Sequence, residues 1–276
     1  GLFSWEKLLF QFGIGFIVGW IVWNAGSGDA AHVLTLPFMR TYEPSLESLV
    51  LSPNVITLSF GVFLFISIFM VMTMSNAVNI TDGLDGLAPG TVMIASFAMM
   101  VLCYIAGTPD TAGYLLMPYI EGASEVMVVA GATAGACLGF MWFNCHPAKV
   151  FMGDVGSTFL GALFAFLVLQ SASWQQSFSL LLVASPLLAD ACFCVVRRLV
   201  DGQSVFQAHR LHLFQRLHQA GWSHGRVSSL YLFSTVILGL SFLLGGLSFL
   251  IPFTLLLIVI GIWLDQNIAV PFSLTS

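Results

Sequence analysis

The sequence predicts an all-α, polytopic integral membrane protein, a helical bundle of about eight transmembrane helices. Three observations predict it. Hydrophobic residues make up 58% of the 276-residue chain and charged residues only 8%, where soluble domains carry about 25% charged residues. The mean hydropathy is +0.95. The apolar residues also fall in continuous runs, which membrane helices need and the alternating strands of a β-barrel do not show. So few charges cannot coat a water-exposed globule, but they suffice for the loops between spans.

The runs are 8–24, 55–75, 88–106, 126–143, 155–171, 177–196 and a long tract from 229 to 266. A span takes roughly 20 residues, so the last tract is too long for one. Gly245, Gly246, Ser248 and Pro252 offer a turn within it. With Lys7 on the inner side and the spans alternating, Lys149, Arg197, Arg198, Arg210, Arg216 and Arg226 also fall inside and only Arg40 outside. That asymmetry fits the positive-inside rule. Segments 76–87, 144–154 and 197–228 then face the cytosol. Segments 25–54, 107–125 and 172–176 face outward, and the proline-bearing 25–54 reads as a structured loop lying on the membrane. Residues 1–276 read as a single transmembrane domain. The chain opens on Gly1 and runs at once into Trp5-Glu6-Lys7, which suggests that its first spans are missing. No cleavable signal pattern is visible there.

Composition excludes other classes. No basic tract points to nucleic acid. The five cysteines, Cys103, Cys137, Cys145, Cys192 and Cys194, lie in or beside apolar runs and form no CxxC pair, so they read as packed thiols rather than a zinc or disulfide framework.

Chemistry concentrates on the inner side. The first segment, SNAVNITDGLDGLA, places Asn76, Asn79, Asp82 and Asp85 in a short stretch between spans. Asp82 and Asp85 are three apart and on a helix would share a face. Ionisable groups at a membrane boundary are costly unless solvated or paired. Two Asp and two Asn at this density suit a cation or a phosphate-bearing ligand, although capping residues of a solvated turn would look the same. The second segment, WFNCHPAKVFMGDVGS, sets Asp154 between Gly153 and Gly156, just before a span. It is placed either to cap that span or to offer a hard oxygen to Mg²⁺. The third segment, RRLVDGQSVFQAHRLHLFQRLH, holds His209 and His212 with Arg210 and Arg216 beside them. His and Arg together suit an anionic diphosphate. A basic interfacial helix is the alternative, and a zinc site would need a further firm ligand. Acids for a divalent metal and bases for phosphates are the groups that phosphoryl chemistry needs. A multispan transporter is the non-enzyme alternative. Against it, the acids gather on one face and only Asp190 stands out within a run, near its end.

The motifs NAVNITDGLDGLA and FMGDVGS resemble the signatures of the polyprenyl-phosphate N-acetylhexosamine-1-phosphate transferases, glycosyltransferase family 4. The likeness covers roughly residues 1–230. Stretch 118–161 is most similar to the branch that uses a UDP-N-acetylmuramoyl-pentapeptide donor. The resemblance implies transfer of phospho-N-acetylmuramoyl-pentapeptide to undecaprenyl phosphate, giving lipid I and UMP for peptidoglycan synthesis, with Mg²⁺ as cofactor. It implies a bacterial inner membrane with the active site facing the cytosol. The partners implied are a UDP-sugar donor, undecaprenyl phosphate and the lipid bilayer, with a homodimer among the arrangements expected. By motif, Asp154 and Asp82 would hold Mg²⁺, with Asp85 beside them. Asn76, Asn79, Asn144, Gly153 and Ser157 would face the nucleotide or phosphates. His209 and His212, with Arg210, match the family's His-rich loop, and Lys7 matches a basic residue at the start of a span.

Three departures qualify this. The family's paired-Asp motif lies upstream of where this chain begins. The muramoyl branch carries three consecutive His, whereas this chain reads AHRLHLFQRLHQAGW. The tail 229–266 is longer by a span than that branch has. The last two features resemble relatives that prime O-antigen or other surface glycans with UDP-N-acetylglucosamine or a related N-acetylhexosamine.

Overall fold

A computed structural model describes residues 4–25, 33–34, 56–114, 119–120, 122–171, 174–203 and 209–272. Nearly all of the outer segment 25–54, part of 172–176, and 204–208 of the third inner segment lie outside the described residues. The elements are α1 (Ser4–Ala25), β1 (Val33–Leu34), β2 (Ile56–Thr57), α2 (Phe60–Thr81), α3 (Leu87–Gly107), α4 (Pro109–Tyr114), α5 (Ala123–Asn144), α6 (Gly153–Leu169), α7 (Trp174–Val183), α8 (Ser185–Val200), α9 (Leu213–Gln219) and α10 (His224–Asn267). The two strands are a two-residue antiparallel pair. The architecture is therefore a helical membrane bundle.

Among the described residues, five helices are long and apolar enough to span, or six if α7 and α8, bent by 80°, make one. The expected total of eight is not established by length and composition, because α6 has only 17 residues. The 44 residues of α10 are not one rod. A straight helix of that length would extend roughly 66 Å. Here Gly246 adopts φ 58°, ψ −148°, and Leu230 and Tyr231 share one cavity wall with Leu264 and Asp265. The arms 224–245 and 247–267 therefore fold back on each other, and the expected turn lies at Gly246, where a side chain would be strained.

Small residues set the closest helix contacts. Gly15 and Gly19 form a GxxxG face on α1, and the Ser67 hydroxyl donates to the Gly15 carbonyl at 3.1 Å. In lipid, where apolar surface alone drives little association, such close backbone approach is what joins helices. The α2–α6 crossing is tighter. A Cβ on Gly161 would lie 2.6 Å from Ser75 Cα, and backbone cannot swing aside. Gly161→Ala is expected to cost about 1–3 kcal/mol by overpacking and to move α6 away from α2. Thermal unfolding in detergent would check this, and an unchanged midpoint would refute it.

The main core joins Val71, Val78, Val92, Leu160, Phe164 and Leu238 across α2, α3, α6 and the first arm of α10. A second cluster lies at the loop-bearing end, where Leu84 and Leu87 meet Phe214, Leu217, Val227, Tyr231 and Leu264. It packs the first inner loop against α9 and both arms of α10. Large apolar side chains such as Phe65, Phe69, Phe249 and Trp263 face outward, as a lipid-facing surface requires.

Candidate active site

The first inner segment is not all loop. Helix α2 continues through Thr81, so Asn76 and Asn79 are helical and only residues 82–86 turn. Asn76 spends its amide within the bundle: it donates to Gln11 Oε1 at 2.8 Å and to the Met72 carbonyl at 2.7 Å. This polar clasp joins α1 to α2 one turn below the site. One helical turn further on, Asn79 Nδ2 donates to Ser157 Oγ at 2.9 Å and to Asp154 Oδ1 at 3.2 Å.

Asp154 stands in the first turn of α6, behind Gly153, with its side chain 66% exposed. Lys7, from α1, donates to its other oxygen in an ion pair. Helices α1, α2 and α6 thus bring Lys7, Asn79, Asp154 and Ser157 to one point. Asp82, at the end of α2, joins them: burial first, and then the nearby Asp154 charge, push its carboxyl up from 3.8 to about 6. Two carboxylates near enough to repel each other are the donor set a hard divalent cation relieves. Asp154 and Asp82 are therefore the residues that fit Mg²⁺, and the Asp154 side chain is open to solvent.

The sign of the Asp82 shift gives a test. An acid with a raised native pKa is disfavoured when ionised, so its penalty is present above about pH 6 and relieved as pH falls toward 4. Asp82→Asn is expected to stabilise the metal-free protein at about pH 8, with the gain shrinking as pH falls through 6. Equal unfolding midpoints for the two proteins at pH 8 would contradict it.

Asp85 does not share Asp82's face, because the loop turns between them. His146 Nδ1 lies 2.9 Å from Asp85 Oδ2, the Ala148 N–H donates to the same oxygen at 3.1 Å, and Ser228 Oγ donates to the Asp85 carbonyl at 3.0 Å. Burial alone would raise Asp85, but the bonds from His146 and Ala148 and the nearby His224 outweigh it and hold the carboxyl below its usual range. Asn144 is buried and bridges the two loops: it accepts from the Gly86 N–H at 2.9 Å and donates to the Val150 carbonyl at 2.8 Å. The expected substrate contact Asn144 is thus a loop tie in this structure.

The His-rich segment sits against the same loop, with Phe214 and Gln215 packed beside Gly83. His212 is 2% exposed and precedes α9. Its ring stacks on His209 and Phe214. Burial lowers its pKa, but Asp190 and Cys194 outweigh that and raise it to about 9. His209 is half-buried, and burial together with His212 and Arg198 pushes it down to about 4. Arg210 is exposed. Arg216 is buried, paired with Asp265 and donating to the Val270 carbonyl at 2.8 Å.

The organiser of this segment is Asp190 on α8, which the sequence shows only as an acid near the end of a run. Its oxygens accept from the Leu213 N–H at 2.8 Å, the Phe214 N–H at 3.3 Å and the Tyr231 hydroxyl at 2.7 Å. A buried carboxylate at a helix N-terminus satisfies donors that no backbone partner reaches. Its signal was an acid in an otherwise apolar run. His146 and Ser228 carried no comparable signal.

Comparison with known proteins adds a family. A family model described as glycosyl transferase family 4 matches residues 4–172. The phospho-N-acetylmuramoyl-pentapeptide-transferase of Desulfotalea psychrophila is 33% identical over 244 residues, covering 87% of this chain and 62% of that protein. Its namesake from Brachyspira hyodysenteriae is 35% identical over 246 residues, covering 82% and 61%. That from Chlorobaculum parvum is 41% identical over 170 residues, covering 61% and 43%. The chain spans less than two thirds of the length of these relatives.

Proposed function

The chain belongs to glycosyl transferase family 4, and we propose that it transfers phospho-N-acetylmuramoyl-pentapeptide from its UDP donor to undecaprenyl phosphate, giving lipid I and UMP. The observation that carries this reading is the convergence of Lys7, Asn79, Asp82, Asp154 and Ser157 from three helices at one end of the bundle. The relatives' shared name supports the donor. Family membership also sets aside the transporter alternative. The site would face the cytosol of a bacterial inner membrane, in keeping with the distribution of Lys and Arg.

Asp154 and Asp82 would hold Mg²⁺, which when bound neutralises the diphosphate and stabilises the charge that gathers on the leaving UMP. The protein's own part is positioning. Asn79 aims Asp154 and holds Ser157 beside it. Lys7 is paired to Asp154 and would be available to a substrate phosphate if Asp154 held a metal. Arg210 offers an exposed cation to phosphate. His212, being buried, acts by shaping the loop, and His209 lies between it and solvent. Asp85, tied to the second loop through His146 and Ala148, keeps the two loops in register.

A second reading has a specific observation behind it. The His-rich segment lacks consecutive His, and the two arms of α10 are in keeping with the extra C-terminal span that the resemblance to surface-glycan initiators implies. The enzyme would then use UDP-N-acetylglucosamine or a related N-acetylhexosamine. The protein in detergent, with undecaprenyl phosphate and Mg²⁺, is expected to release UMP from UDP-N-acetylmuramoyl-pentapeptide. Release from UDP-N-acetylglucosamine alone would replace the first reading with the second.

A further inference from the structure

We propose that Cys194, His209 and His212 form a zinc-binding site that pins the loop ahead of α9 to α8. The three residues come from two elements, and their ligand atoms lie within 4.8 Å of one another. Cys194 and His212 are each 2% exposed. The sequence shows the two His but leaves them short of a firm third ligand. The fold supplies it, because α8 runs beside the loop and turns the Cys194 thiol toward the two rings.

Two features separate this cluster from ordinary packing. His212 Nδ1 is buried with no hydrogen-bond partner. Asp190 Oδ1 is the nearest acidic oxygen at 3.7 Å, too far for a hydrogen bond. A buried ring nitrogen left unbonded is costly, and a metal ion would satisfy it. The donor chemistry is also soft. One thiolate and two imidazoles select zinc over the hard Mg²⁺ that suits Asp82 and Asp154.

Geometry and charge allow the ion. Tetrahedral zinc with these ligands sets donor atoms about 3.3–3.6 Å apart, so the cluster closes by roughly 1 Å. His209 can supply that movement, since it is half-buried on a loop. A Cys194 thiolate and the Asp190 carboxylate beside the site would together balance a divalent charge, against the opposing Arg198 near His209. Asp190 is held by three other donors, so it stays as an outer partner and the fourth position is left to water. Bound zinc would fix the loop that carries the exposed Arg210.

The site lies in the loop that bears Arg210, so its test reads metal content rather than activity and can fail or succeed whatever the donor proves to be. The protein would be purified in detergent from zinc-replete cells, dialysed against a weak chelator, and analysed for metal by mass spectrometry. About one zinc per chain is expected. Replacement with Co²⁺ should give a thiolate-to-cobalt charge-transfer band in the near ultraviolet. Cys194→Ser and His209→Asn are each expected to lose both the zinc and the band, whereas Asp154→Asn keeps them. Should Cys194→Ser fail to fold, His209→Asn decides, because that side chain is half-exposed. A wild-type protein that retains no zinc, a cobalt spectrum without the thiolate band, or full retention in His209→Asn would overturn the assignment.

Discussion

Asp154→Asn is expected to leave the fold intact and to slow UMP release on the order of 1,000-fold, as loss of a principal charge-stabilising group does. The two halves of the prediction rest on different observations. The fold should survive because the side chain is 66% exposed, and exposed ion pairs contribute about 1 kcal/mol or less. The reaction should fail because the substitution removes one of two carboxylates that face the same space, leaving Asp82 alone to hold the cation. It also frees Lys7 and turns the partner of Asn79 into a neutral amide. Removing the Asp154 charge should let the Asp82 carboxyl fall back toward its ordinary range, since Asp154 is part of what raises it. Steady-state UMP release and a melting curve on the same preparation would check both halves. Normal turnover would remove Asp154 from the chemistry, and a collapsed melting midpoint would make it a structural residue instead.

Asp190→Ala is expected to destabilise the protein by about 3 kcal/mol or more, because it strips several buried donors of one acceptor. The Leu213 and Phe214 N–H groups and the Tyr231 hydroxyl all point at this carboxylate. Both side chains are buried, Asp190 8% exposed and Tyr231 5%. Its loss would free the first turn of α9 from α8 and from the first arm of α10. Tyr231→Phe is the calibrating variant, since it removes only one of the bonds and should cost about 1 kcal/mol. Unfolding midpoints in detergent would compare the two. Equal losses would mean that Asp190 is not the anchor. A fall in transfer activity is also expected for Asp190→Ala, since the loop bearing Arg210 would lose its seat, but Arg210 would remain chemically unchanged.

Much of the architecture is legible in the chain itself. Apolar runs of membrane length marked α1, α2, α3 and α5, and the Gly-rich interruption near residue 246 marked the fold-back of α10. The loop boundaries were less legible. SNAVNIT reads as polar loop, yet α2 continues through it, because Asn76 is satisfied by Gln11 and by its own helix rather than by water. The run 177–196 reads as one straight span and carries an 80° bend between α7 and α8. Pro186 stands in the first turn of α8, where its missing N–H is tolerated.

Residue types and short spacings by themselves determined that this chain lies in a membrane, where its acids and bases gather, and which motifs are candidates for the chemistry. Those are local properties: hydropathy is a sum over neighbours, and a Gly-Asp motif needs only a few residues to be seen. Tertiary structure alone decided which of those groups act together. Lys7 and Asp154 are 147 residues apart in the chain, and their meeting depends on close packing of α2 against α6 at Gly161. Asp82 and Asp85 are three apart and yet diverge, one toward Asp154 and the other toward His146. Cys194, one thiol in an apolar run, and Asp190, an isolated acid in the same run, become the neighbours of His212 only when α9 packs on α8. Pairing at a distance is set by helix crossing and burial, which no local pattern encodes.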